Sequence, residues 1–132
     1  MTLTINRSLD EPVYEQVADQ LRRLVASGAL GPGTTLPSVR RLAGDLGVNL
    51  NTIARAYRLL ESEGFLVIRD RAGVTVSAPA VAIEHSARAR LLEQMRVTLA
   101  RLRQAGMATE ELLSVMRREV LDLDAGKENH DD

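Results

Sequence analysis

RRLAGDLGVNLNTIARAY, Arg40 to Tyr57, carries two helical apolar patterns separated by a glycine. Val39, Leu42, Ala43 and Leu46 stand at i, i+3, i+4 and i+7, the buried stripe of a short amphipathic helix. The pattern stops at Gly47 and resumes at Ile53, Ala56, Tyr57 and Leu60. Gly47 suits the left-handed position just past a helix end, where a side chain is strained. Ser38 and Asn49 precede the two runs, and both side chains can accept a hydrogen bond from a first-turn amide. A chain that bends this sharply between two short helices places the second across the first. Ala43 supplies the small residue that such a crossing needs, and Val48 supplies an apolar plug after the turn. The spacing predicts a helix-turn-helix.

The second helix has a face turned away from its apolar stripe. At about 100° per residue, that face carries Asn51, Arg55 and Arg58, with no acid before Glu61. Asparagine can pair with adenine N6 and N7, arginine with guanine or phosphate, and threonine with phosphate or a thymine methyl. A merely solvated helix would be expected to mix Glu and Lys among these arginines. Double-stranded DNA is therefore the expected partner, with Asn49, Asn51, Thr52, Arg55 and Arg58 as candidate contacts and Ser38, Arg40 and Arg41 at the preceding helix start. The total charge is silent on this point, because 17 basic and 18 acidic residues leave −1. The distribution is not: residues 38–58 hold four Arg and one acid, Asp45.

Upstream, Pro12 suits a first helical turn, and Val13, Val17, Leu21, Leu24 and Val25 follow at helical spacing until Gly28. GALGPGTTLP, residues 28–37, is loop by composition, with three Gly and two Pro. Downstream of Gly64 the period changes. FLVIR and VTVS are β-branched runs around DRAG, which predicts a β-hairpin with a four-residue loop. This hairpin would form a wing, with Arg69, Arg71 and Gly73 near its tip in reach of phosphate or an adjacent minor groove.

APA at 78–80 marks a boundary. Ile83, Ala87, Leu91, Met95, Leu99 and Leu102 keep one apolar stripe as far as Gly106. Thr109 can cap a further helix, aided by Glu110 and Glu111, whose stripe includes Leu112, Met116 and Val120. Two such helices cannot close a core alone, so their stripes must lie over the first helix as an intrachain lid or, as the favoured expectation, against a second copy of the chain. The expected fold is mainly α with a small β-hairpin: a winged helix-turn-helix over 10–78, a two-helix dimerisation segment over 79–125 and an acidic flexible tail over 126–132.

Several classes of function are excluded. With no cysteine, thiolate metal sites and disulfides are ruled out. His85 and His130 are far apart, so no metal and no cofactor are expected. No apolar run reaches membrane-spanning length and the N-terminus lacks a secretion signal, so a cytoplasmic protein without membrane attachment is expected. No nucleophile, base and orienter come together, and Lys127 in the tail is the only lysine, which leaves no Schiff-base candidate; the chain is expected not to be an enzyme. An adaptor using the same fold to hold protein would show acid or apolar residues on the Asn51–Arg55–Arg58 face. A small-molecule effector leaves no signature, since an aliphatic groove and a packed seam read alike.

PVYEQ, GALGPGTTLPSVRRLAGDLGVNLNT and AYRLLESEGF together resemble the winged-helix domain of the GntR family of bacterial transcriptional regulators. Over its whole length the chain resembles the YtrA subfamily, in which that domain carries only a short two-helix C-terminal segment. The resemblance implies a dimeric repressor, near its own or a transporter-type operon, on a roughly palindromic operator. It also implies a DNA contact for Arg40 and for the recognition-helix start at Asn49, Asn51 and Thr52. Leu50 and Ala54 stand where many relatives carry basic residues, so the base-reading set differs here. At the wing tip only Gly73 matches the family's glycine pattern.

Overall fold

The computed structural model describes residues 1–69, 73–78 and 85–130. Arg71 and Ile83 lie outside them. Contacts group the described chain into two compact units, whose main bodies are Met1–Ala78 and Pro79–Asp122.

Pro12 opens the first helix, where its missing N–H would have had no partner, and its carbonyl accepts from the amides of Glu15 and Gln16 at 3.1 Å each. Helix α1 (Val13–Ala26) buries Val17, Ala18 and Leu21 completely. Helix α2 (Val39–Leu46) contributes Leu42 and Ala43, and helix α3 (Leu50–Ser62) contributes Ile53, Ala56, Tyr57 and Leu60 to the same core. Gly47 takes φ +66°, and the chain reverses there: its amide donates to the Gly44 carbonyl at 3.3 Å and Val48 N–H donates to Ala43 at 3.0 Å. These two bonds satisfy carbonyls that the end of α2 would otherwise leave open.

The sheet has three strands rather than the two of a lone hairpin. Strand β1 (Thr35–Leu36) lies inside the stretch expected to be loop, and it pairs antiparallel with β3 (Gly73–Val76), Thr35 opposite Thr75 and Leu36 opposite Val74. Strand β2 (Leu66–Arg69) pairs with the other side of β3, from Leu66 opposite Val76 to Arg69 opposite Gly73, in the order β1-β3-β2. Two residues are too few to show a period, which is why β1 escaped the sequence pattern. Gly73, expected in the DRAG loop, belongs to strand β3, and the rest of that loop, residues 70–72, lies outside the described residues.

The N-terminal segment joins this unit through side-chain amides. Gln20 accepts from Thr4 N–H at 2.9 Å and donates to its carbonyl at 2.7 Å; Gln16 does the same for Asn6 at 2.9 and 3.0 Å. Leu3 and Ile5 pack on the core beneath these clamps. Arg7 donates to the carbonyl of Gly47 at 3.0 Å, tying the segment to the turn.

Helix α4 (His85–Gln104) leads through Gly106 to α5 (Thr109–His130), which belongs to the second unit as far as Asp122; helix continues through residues 126–130, which composition alone had placed in a flexible tail. Thr109 is not the cap expected of it. It is the first helical residue, Leu112 N–H bonds the Ala108 carbonyl, and the Thr109 hydroxyl accepts from Arg103 at 2.8 Å. Leu112 is buried, and Leu99, Leu102 and Met116 are half-buried; Leu91, Met95, Leu113 and Val120 remain 43–57% exposed.

The turn yields a paired test. A Cβ at Gly47 or Gly44 would meet nothing within 4 Å, so space does not separate the two positions; backbone conformation does. Gly47→Ala is expected to lower unfolding free energy by about 1–2 kcal/mol. Gly44→Ala, inside α2, is expected to raise it by up to about 1 kcal/mol. Urea denaturation measures both, and equal effects would show that the turn does not depend on the left-handed residue.

Candidate nucleic-acid interface

The exposed side of α3 is defined by what its other side buries. Ile53, Ala56, Tyr57 and Leu60 are fully enclosed, which leaves Asn51, Arg55 and Arg58 outward and Thr52 and Ala54 half-buried at the margins. Tyr57 locks the helix from within: its hydroxyl donates to the Pro37 carbonyl at 2.7 Å, and burial pushes the phenol up from 10.0 to about 12. Pro37 directly precedes Ser38, the cap of α2, so this bond joins α3 to the start of its neighbour.

Both expected caps are formed. Ser38 Oγ accepts from Arg41 N–H at 3.1 Å, and Asn49 Oδ1 accepts from Asn51 N–H at 2.8 Å. Capping occupies Asn49 Oδ1 and leaves its amide NH2 as the group available to a partner. Arg40 is exposed at the start of α2, and Arg41 makes a long 4.0 Å contact with Asp45, the kind of solvent-exposed pair that contributes little.

Acids near the exposed face of α3 are engaged elsewhere. Glu61 Oε2 accepts from the Ile68 amide of edge strand β2 at 2.9 Å, and Glu63 holds Arg22 through two bonds at 2.9 and 3.2 Å. Arg69 and Gly73 face each other at the described end of the wing, with Arg69 exposed.

Sequence patterns missed one neighbour of this face. The Arg55 guanidinium carbon lies 3.8 Å from the centroid of the Tyr14 ring, and the Tyr14 hydroxyl donates to Glu15 Oε1 at 2.9 Å. That hydrogen bond, with partial desolvation, raises the Tyr14 phenol above its ordinary value, against the opposing influence of Arg55. Pro12, Val13 and Tyr14 of α1 line a cleft of about 410 Å³ with Asn51, Thr52 and Arg55 of α3. The PVYEQ segment was visible as a helix start, but nothing in its spacing places it beside residues some forty positions on. Leu50, 45% exposed at the first turn of α3, adds an apolar surface to the same end.

Among the described residues there is no cluster of potential metal ligands and no helix long and apolar enough to cross a membrane.

A short helix turned by glycine into a second, followed by the antiparallel strands β2 and β3, makes the protein a winged helix-turn-helix. The profile described as bacterial regulatory proteins, gntR family, matches residues 13–76. The HTH-type transcriptional repressor YtrA of Bacillus subtilis is 32% identical over 119 residues, covering 89% of this chain and 92% of that protein. The HTH-type transcriptional regulator Rv1152 of Mycobacterium tuberculosis is 47% identical over 75 residues, 57% of this chain but only 62% of the relative's length. Among solved structures, a transcriptional antiterminator from Listeria monocytogenes has a TM-score of 0.79 at 25% identity, covering 94% of this chain and 93% of its own. YtrA from Sulfolobus acidocaldarius has a TM-score of 0.60 at 35% identity, covering 91% and 97%. The AraR DNA-binding domain in complex with operator ORX1 has a TM-score of 0.52 at 25% identity, covering 58% and 96%. The chain belongs to the GntR family, within its YtrA subfamily, and is a DNA-binding transcriptional regulator rather than an enzyme.

The cap of α3 can be tested apart from any DNA contact. Asn49→Ala is expected to cost about 1 kcal/mol of stability, and Asn49→Asp, which keeps an acceptor at the cap, close to none. Thermal unfolding of the two variants measures this. Equal losses would mean that the 2.8 Å bond does not stabilise the helix start.

Proposed function

We propose that this protein is a cytoplasmic homodimeric repressor that lays α3 in the major groove of a roughly palindromic operator, at its own or a transporter-type operon. One observation carries the DNA contact: the exposed stripe Asn51, Arg55, Arg58 lies opposite a completely buried apolar stripe, and the nearby acids Glu15, Glu61 and Glu63 already have partners. Asn49 and Thr52 add polar groups at the helix start, where the N-terminal turn of a recognition helix meets base edges. Ser38, Arg40 and Arg41 would meet the phosphate backbone from the start of α2, and Arg69, with Gly73 beside it, from the wing. The operator complex of the AraR domain and the repressor name of B. subtilis YtrA support the same assignment.

The dimer rests on the second unit. Leu91, Met95 and Val120 are exposed on α4 and α5, while Leu99, Leu112 and Met116 line the seam between the two helices and Leu102 is half-buried. Apolar side chains left in water on a two-helix unit are removed from it by a like unit in a second chain. Two recognition helices would then engage half-sites one helical turn or more apart.

Selecting duplexes from a random pool with the full chain tests the DNA assignment. An inverted repeat is expected, and Arg55→Ala is expected to weaken binding to the selected duplex by about 1–3 kcal/mol if it reads a base, or to reduce the salt slope by about one if it touches phosphate. Unchanged affinity and unchanged salt dependence would remove Arg55 from the interface. For the dimer, Leu91→Glu combined with Val120→Glu is expected to give a monomer in sedimentation, with its helix content kept and operator affinity strongly reduced. A persistent dimer would place the interface elsewhere.

A further inference from the structure

Among the described residues two arginines lie near aromatic rings, and the contrast between them is informative. Arg22 lies over Phe65 at 6.0 Å, but its Nε and Nη2 donate to Glu63 at 2.9 and 3.2 Å, and it ties α1 to the end of α3. Arg55 lies much closer to its ring, at 3.8 Å, and among the described residues it forms no ion pair or side-chain hydrogen bond. Stacking uses the flat face of a guanidinium, and the N–H donors radiate in its plane. A stacked arginine is therefore fixed in direction while its donor edge stays unspent.

We propose that Tyr14 is a positioning residue for operator recognition: its ring holds the Arg55 guanidinium so that the donor edge meets a base before DNA arrives. This rests on the assignment of the α3 face as the DNA-reading surface. Three features of the site support the role. The ring belongs to α1, whose Val17, Ala18 and Leu21 are wholly buried, so its mounting is rigid. The hydroxyl is held at its far end by Glu15 at 2.9 Å, which restrains the ring and occupies the nearest carboxylate. The cleft beneath is shared by Tyr14, Asn51, Thr52 and Arg55, so the ring forms one wall of the surface on which those side chains stand.

An arginine free in solvent must surrender side-chain entropy to form a bidentate contact with guanine; one already held surrenders less. Phosphate contact is tolerant of direction and gains little from the restraint. Tyr14 thus acts on discrimination between sequences, and only weakly on general affinity for DNA.

The test compares binding of the full-length protein to a duplex selected by the wild type and to a scrambled duplex of equal length. The variants are Tyr14→Leu, Tyr14→Phe, Arg55→Ala and the Tyr14→Leu/Arg55→Ala pair, each checked for an unchanged thermal transition. Tyr14→Leu is expected to weaken the selected duplex about five- to tenfold and the scrambled one less than about twofold. Tyr14→Phe keeps the ring and loses only the hydroxyl tether to Glu15, and is expected to fall between wild type and Tyr14→Leu. In the Arg55→Ala background, Tyr14→Leu is expected to have no further effect. Additive losses in the double variant, equal losses on both duplexes, or a Tyr14→Phe protein as impaired as Tyr14→Leu would each overturn the role. If Arg55→Ala weakens the selected duplex and Tyr14→Leu does not, only the positioning fails. If Arg55→Ala has no effect on either duplex, the reading of Arg55 as a DNA contact fails, and the positioning with it.

Discussion

The reversal at Gly47 is the constraint on which the first unit depends. Its positive φ lets two short helices cross within a handful of residues, and the bonds from Gly47 and Val48 back to Gly44 and Ala43 close the end of α2. Neither helix is stable alone at eight and thirteen residues. Their stability comes from burying Leu42 and Ala43 against Ile53, Ala56 and Leu60, each large aliphatic chain contributing about 1.5–3 kcal/mol when enclosed. The burial that folds the pair also decides which side of α3 is left to face a partner. One packing arrangement therefore sets both the stability of the pair and the residues that it leaves exposed.

Charge is partitioned along the same line. A total of −1 conceals two populations of arginine. Arg22 and Arg23 are paired with Asp19 or Glu63 on and around α1, and they serve cohesion. Arg55 and Arg58 stand outward from α3 and Arg40 from α2, while Glu61 is drawn to a backbone amide of the sheet edge. A partly neutralised surface surrounds a local cationic face. Local excess, and not total charge, attracts phosphate at the range of a Debye length.

What was legible in the sequence was local. The helical stripes, the two caps and the turn each depend on residues within four positions of one another, so they could be read from spacing and residue type. What escaped was made by contacts between distant segments. Strand β1 exists because β3, some forty residues later, offers it a ladder. The N-terminal segment is ordered because two glutamines on α1 happen to match the backbone of Thr4 and Asn6. The Thr109 hydroxyl was misjudged because Arg103, on the preceding helix, competes for it. On the recognition face, residue types and helical phase marked Asn51, Arg55 and Arg58, but the partner of Arg55 lies on another helix and carried no periodic signal.

The sparse aromatic content makes these distant contacts easier to interpret. Only two Tyr and one Phe occur in the whole chain, and each ring sits where two elements meet. Tyr57 anchors α3 to the carbonyl just before α2; Phe65, at the start of the wing, lies under Arg22 of α1; Tyr14 of α1 carries Arg55 of α3. An aliphatic core supplies cohesion but little direction, because methyl groups pack in many arrangements at similar cost. A ring with a polar tip or a cation on its face supplies direction. Tyr57 and Phe65 spend it on holding the fold, both acting toward the interior or the helix end. Tyr14 differs because the group it orients points outward, and a fixed outward guanidinium has value to a protein only where something outside is to be read.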